Sequence, residues 1–75
     1  MRTFDDALGR KWEVVVGRES WGVTVAMFIP ADGGDDVRET PLEVDGYEEG
    51  IAEVEALDER GLKDIFERSR AKKME

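Results

Sequence analysis

The stretch Trp21 to Ile29, WGVTVAMFI, is the longest apolar run in the chain and constrains its fold more than any other segment. It is rich in β-branched and aromatic residues, and turn-forming residues close it at both ends. On a strand, Val23, Val25, Met27 and Ile29 share one face, while Thr24, Ala26 and Phe28 share the other. A strand apolar on both faces belongs inside a sheet, with cover on each side. The run is far shorter than the ~20 residues a membrane-spanning helix needs. It is expected at the centre of a small antiparallel sheet.

Before it, Thr3–Phe4 and Arg10–Val16 read as a hairpin closed by Asp6-Ala7-Leu8-Gly9. Asp at the first turn position can bond its own backbone two residues on, and Gly at the fourth can take the positive φ of a bulged type I turn. Trp12, Val14 and Val16 then alternate with Lys11, Glu13 and Val15, as in a half-buried strand. Phe4 should face Trp12 across the hairpin. This stretch, Phe4-Asp5-Asp6-Ala7-Leu8-Gly9-Arg10-Lys11-Trp12-Glu13-Val14, resembles the opening of small uncharacterised bacterial proteins that begin F-x-D-x-x-G-R-x-W-x-V. The resemblance implies a short helix with an acidic start near the end, which Leu57-Asp58-Glu59-Arg60-Gly61-Leu62 is similar to. It covers about a third of the chain and brings no activity with it.

After Gly17 to Ser20, a turn, comes the central strand, which Pro30 to Asp36 ends as a loop. Val37 to Val44 reads as an edge strand broken at Pro41, since proline cannot donate to a ladder. Asp45 to Gly50 reads as a loop. Ile51 to Leu57 fits either period: Ile51, Val54 and Leu57 share a helical face, whereas Ala52, Val54 and Ala56 share a strand face. The helix start at Asp58 favours a short strand or extended approach. Asp58 is a good N-cap, Leu57 and Leu62 have hydrophobic-staple spacing, and Glu59 suits the positive end of the dipole. The helix is expected from about Glu59 to Lys72, with Leu62, Ile65, Phe66 and Ser69 as its inward stripe.

The chain of 75 residues reads as one domain, residues 1–75, without cysteine or histidine and with a formal net charge of −8. The charge is concentrated: from Asp32 to Glu59 there are twelve acids and one base, Arg38. Such a belt repels phosphate backbones and anionic lipid, so neither direct nucleic-acid binding nor membrane binding is expected. Two readings of the belt stay open: solubility, including adaptation to salt, or a surface that steers a basic protein partner. The residues after Met1 carry no charged-then-apolar leader, and a cytoplasmic location is the default.

No constellation identifies a reaction. The commonest general base, thiol nucleophiles and most zinc sites are excluded by composition, and no nucleotide-binding glycine motif occurs. No cofactor is expected. Glu48–Glu49 and Glu53–Glu55 read as solvated acids. Asp32, Asp35 and Asp36 form an acidic loop. Asp45 to Gly50 lacks the acids a calcium loop needs at positions three and twelve, where Tyr47 and Ala56 stand.

The expected architecture is α+β: a three- or four-stranded antiparallel meander with one C-terminal helix on one face. Its expected core is Phe4, Trp12, Val14, Val16, Val23, Val25, Met27, Ile29, Leu62, Ile65 and Phe66. The opposite face would then present Val15, Ala26 and Phe28, beside Trp21, as an interaction surface for a second copy of the chain or another protein. Three functions remain: a non-catalytic protein-interaction or accessory module, a small ligand-binding protein or enzyme using clustered carboxylates, and an acidic mimic of nucleic acid.

Overall fold

The Asp6 carboxylate organises the first hairpin. Its Oδ1 accepts from the backbone N–H of Leu8 and of Arg10, both at 2.9 Å, and Gly9 takes a φ of +84°. That is the bulged turn the four residues predict. It joins β1 (Arg2–Asp5) to β2 (Lys11–Arg18) with Phe4 opposite Trp12. The computed structural model describes residues 2–18 and 22–72, and in it β3 (Thr24–Pro30) and β4 (Arg38–Pro41) continue the meander. A two-residue strand, β5 (Arg70–Ala71), completes a five-stranded antiparallel sheet in the order β1-β2-β3-β4-β5. The apolar run is indeed the middle strand. Pro41 ends β4 as expected, but β5 pairs beside it, so β4 is not an edge.

Two helices cover one face of the sheet. The first, α1 (Tyr47–Ala56), occupies residues read as a loop followed by a strand or extended segment. Its buried positions are Gly50 and Val54, one turn apart, while Ile51 is left 38% exposed. A glycine in the stripe weakens the apolar period in the sequence, yet it is what seats this helix. A Cβ at Gly50 would lie 2.6 Å from Thr24 Cγ2 and 3.1 Å from Val16 Cγ1. The C-terminal end of α1 is held from across the chain: Arg2 Nη1 donates to the carbonyls of Val54 (2.9 Å), Glu55 (3.2 Å) and Leu57. These are the groups a helix leaves unpaired at its end, and a cation suits that pole.

The second helix, α2 (Glu59–Glu67), starts where Asp58 caps it, accepting from Gly61 N–H at 2.8 Å. Leu62, Ile65, Phe66 and Ser69 form the inward stripe as predicted. The helix ends several residues before Lys72 because Arg38 and Thr40 of β4 hold its end. Arg38 Nε donates to Ser69 Oγ at 2.8 Å and Nη2 to the Ser69 carbonyl at 2.7 Å. Thr40 Oγ1 donates to the Ile65 carbonyl at 2.6 Å. The chain then leaves the helix and pairs with β4.

The register corrects the assignment of faces on β3. Val14 pairs with Phe28 and Val16 with Ala26, so Ala26 and Phe28 lie under the helices, both 0% exposed. They are the core, not the uncovered face. Val25, Met27 and Ile29 lie on the opposite face with Val15; Val25 is nonetheless buried at 3% exposure, Met27 and Ile29 are half-buried, and Val23 is 44% exposed. A shift of one residue turns every side chain over. Both faces of this run are apolar, so its composition cannot choose between them. Trp21 lies outside the described residues.

The core is built around Phe66. Its ring centroid lies 5.2 Å from Phe4, 5.1 Å from Trp12 and 5.0 Å from Phe28. Tilted and edge-on pairs of this kind add about 0.5–1.5 kcal/mol each beyond burial. Leu42, Val54, Leu62 and Ile65 close the rest.

Candidate functional site

Two surfaces merit attention: a cleft beside the aromatic cluster and the face of the sheet without helices. The cleft encloses about 510 Å³ and is lined by Leu8, Arg10, Trp12, Arg38 and Phe66, among others. Its polar groups are already engaged. The Asp6 Oδ2 accepts from Trp12 Nε1 at 3.0 Å, so one carboxylate serves the turn and the tryptophan together. The Trp12 bond, then those from the Arg10 and Leu8 backbone, hold Asp6 below the usual carboxylate range against the opposing effect of burial. Arg10 lies over the Trp12 ring, 4.8 Å from its centroid, and reaches Asp36 at 3.0 Å and Asp32 at 3.3 Å. Those two carboxylates, Asp36 first, raise the Arg10 pKa. The Gly34 N–H, then Arg10, lower that of Asp32.

The residues F-x-D-x-x-G-R-x-W thus have structural work. Asp6 and Gly9 form the turn, Trp12 and Phe4 enter the core, and Arg10 ties the hairpin to the β3–β4 loop. Arg38, the one base in the acidic segment, lies 5.6 Å from the Phe66 ring centroid and is bonded to Ser69. Both arginines in the cleft are committed to the fold. In the acidic loop, Asp32 and Asp36 pair with Arg10. Residues Asp45 to Gly50 lead into α1. Among the described residues, no group of three or more acids is placed to hold a metal ion. The carboxylates with a resolved shift, Asp6 and Asp32, move down, opposite to the shift a general acid needs.

The second face is different. Val15, Met27 and Ile29 are half-buried on it, while Val25 on the same side is 3% exposed; α1 and α2 lie on the other face. Val15, Met27, Glu39 and Arg70 form one row across four strands. Met27 lies over Gly17, where a Cβ would meet its terminal methyl at 2.5 Å. Glu39 is 7% exposed and is bracketed by Arg70 at 3.8 Å and Lys72 at 3.4 Å. Asp5 and Lys11 face each other near one margin, with Glu13 beside them. Of the surface residues expected from sequence, Val15 lies here and Ala26 and Phe28 do not. The residues missed, Met27 and Ile29, are one position away on the same strand; Val25, on the same side, is buried as expected, at 3% exposure.

The charge is distributed unevenly. Among the described residues, the second face carries three acids (Asp5, Glu13, Glu39) and three bases (Lys11, Arg70, Lys72). Among the described residues the negative excess is therefore carried away from this face, and α1 and its flanks hold much of it, with Glu48, Glu49, Glu53 and Glu55 on the helix itself.

No family model matches this chain, and no curated protein or solved structure is significantly similar to it. Among the described residues, no helix is long and apolar enough to cross a membrane.

Proposed function

We propose that the chain is a non-catalytic interaction module whose working surface is the second face of the sheet. The observation that supports this is the pairing of an apolar strip, Val15, Met27 and Ile29, with a balanced set of charges on the same face. The rest of the described residues are strongly acidic. A surface that is apolar at its centre, ringed by charges of both signs and free of net repulsion suits protein association. Molar mass by light scattering, from about 10 μM to 1 mM, tests it against self-association in the range of a weak interface. The mass should rise with concentration and hold at ~1 M salt, because screening removes the −8 repulsion while leaving apolar contact intact. A monomer mass throughout would remove self-association from the reading.

A second reading has its own observation. On α1, Tyr47 (44% exposed) and Ile51 (38% exposed) lie one turn apart among the acids. That surface suits a basic protein, including one whose own ligand is nucleic acid, and its binding would fall steeply with salt.

A further inference from the structure

The outer edge of β1 carries backbone groups that the sheet leaves unused. Asp6 N–H donates to the Arg10 carbonyl at 2.9 Å, and Ala31 N–H donates to the Lys11 carbonyl at 3.0 Å. Bonded and non-bonded pairs alternate along an antiparallel ladder. Arg2–Val14 and Phe4–Trp12 are therefore bonded pairs, and Thr3–Glu13 and Asp5–Lys11 are not. The backbone N–H and C=O of Thr3 and Asp5 point away from β2, and no described strand lies beyond them. We infer that this edge takes up an extended acidic peptide as a sixth strand, an interaction separate from the second face of the sheet.

Two observations specify the occupant. The outward groups of Thr3 and Asp5 lie two residues apart, about 6.8 Å, which is the repeat of an extended chain. An antiparallel segment exchanges both backbone bonds with each of them, and its residue in between sits opposite Phe4 on the helix side. There a pocket of about 400 Å³ separates β1 from α2, lined by Thr3, Phe4, Asp5, Glu59, Arg60 and Lys63. A groove between a sheet edge and a helix suits strand addition: backbone bonds give affinity and the pocket reads alternate side chains. Arg60 and Lys63, one turn apart on α2, make no ion pair among the described residues. Asp5 alternates with Phe4, so its side chain belongs to the other side of the sheet, opposite Lys11. The helix side of the pocket thus sets two cations against Glu59, and an Asp or Glu at the middle of the added strand complements them. A second copy of β1 does not. Its residues on that side are Arg2, a cation held by the carbonyls of α1, and Phe4, a ring in the core.

The probe is the acetylated, amidated pentapeptide Thr-Val-Glu-Val-Thr, titrated to about 2 mM into isotope-labelled protein and followed by NMR. Its valines fall opposite Thr3 and Asp5, and its Glu opposite Phe4. The amide signals of Thr3 and Asp5 should move downfield and their hydrogens exchange more slowly. Gln in place of the central Glu should weaken binding about twofold to fivefold, as should Lys63→Gln. N-methylation of both valines removes the donors aimed at the edge and should abolish binding. Thr3→Pro removes an outward donor and no bond to β2, so the fold should survive, as circular dichroism would show, while binding falls about tenfold. No shift at Thr3 and Asp5 up to about 2 mM would overturn the inference. So would undiminished binding of the N-methylated peptide or of one with Lys in place of Glu. Movement of the same amides with protein concentration, without peptide, would make a second copy the occupant and overturn it as well. The second-face reading is judged on other signals, those of Val15, Met27 and Ile29, and stands or falls separately.

Discussion

Gly50 provides a sharp test of how α1 meets the sheet. In an exposed helix interior, alanine is favoured over glycine by about 1 kcal/mol, so Gly50→Ala would normally stabilise. Here the new methyl group would sit 2.6 Å from Thr24 Cγ2, 3.1 Å from Val16 Cγ1 and 3.5 Å from Leu42 Cδ1. Thr24 is 2% exposed and β-branched, so it has little freedom to retreat. The helix must move off the sheet, at an overpacking cost of about 1–3 kcal/mol. Against the propensity gain, the expected outcome is a net loss of up to ~2 kcal/mol, or several degrees in the melting temperature of a domain this small. Thr24→Ser removes the obstructing methyl. In that background Gly50→Ala should lose much of its cost, giving a coupling of about 1–2 kcal/mol between the two positions. Urea denaturation followed by far-UV circular dichroism measures all four corners of the cycle. A stabilising Gly50→Ala in the parent, with coupling below ~0.3 kcal/mol, would refute the close approach of α1 to β3.

Other outcomes follow from the same contacts. Phe28→Ala removes a fully buried ring that packs on Phe4 and Phe66 and should cost about 3–5 kcal/mol in chemical denaturation, whereas Ile29→Ala, one position away on the half-buried face, should cost under half as much. Arg2→Met should lose about 1–3 kcal/mol and fray α1, which amide hydrogen exchange at Glu53 to Leu57 would show first. Asp6 and Asp32 have folded pKa values below those of the unfolded chain, so the stability they contribute is complete above about pH 4 and is lost as pH falls through the folded values. Asp6→Asn should remove part of this acid limb because the amide does not titrate, and should lower stability at neutral pH because it turns a donor toward Trp12 Nε1 or the Arg10 N–H. Acid titrations of the parent and variant, followed by tryptophan fluorescence, check the difference.

Much of the fold is legible in local chemistry. Asp6 with Gly9 specifies a turn, Pro41 ends a strand, Asp58 starts a helix, and the spacing of Leu62, Ile65, Phe66 and Ser69 gives its inner face. What failed to show has physical causes. Helix α1 is disguised by Gly50, which sits where the apolar stripe needs a large residue and is buried because it has no side chain. The end of α2 depends on Arg38 and Thr40, which reach Ser69 and Ile65 from a strand 25 or more residues away. No local signal encodes that reach. The face of β3 was unreadable because Ala26 and Phe28 are about as apolar as Val25, Met27 and Ile29, and only the pairing with β2 separates them. The candidate surface inherits this ambiguity: Val15 could be placed from the alternation in β2, but its neighbours across the sheet could not.

The central claim is that association uses the second face of the sheet. The most direct measurement is a dilution series on methyl-labelled protein by NMR. The methyl signals of Val15, Met27 and Ile29 should shift together with concentration, while those of Val54 and Leu62 under the helices stay fixed. Concentration-dependent shifts confined to Ile51 on α1, or to Leu8 at the cleft, would contradict the claim and move the working surface to the other side of the molecule.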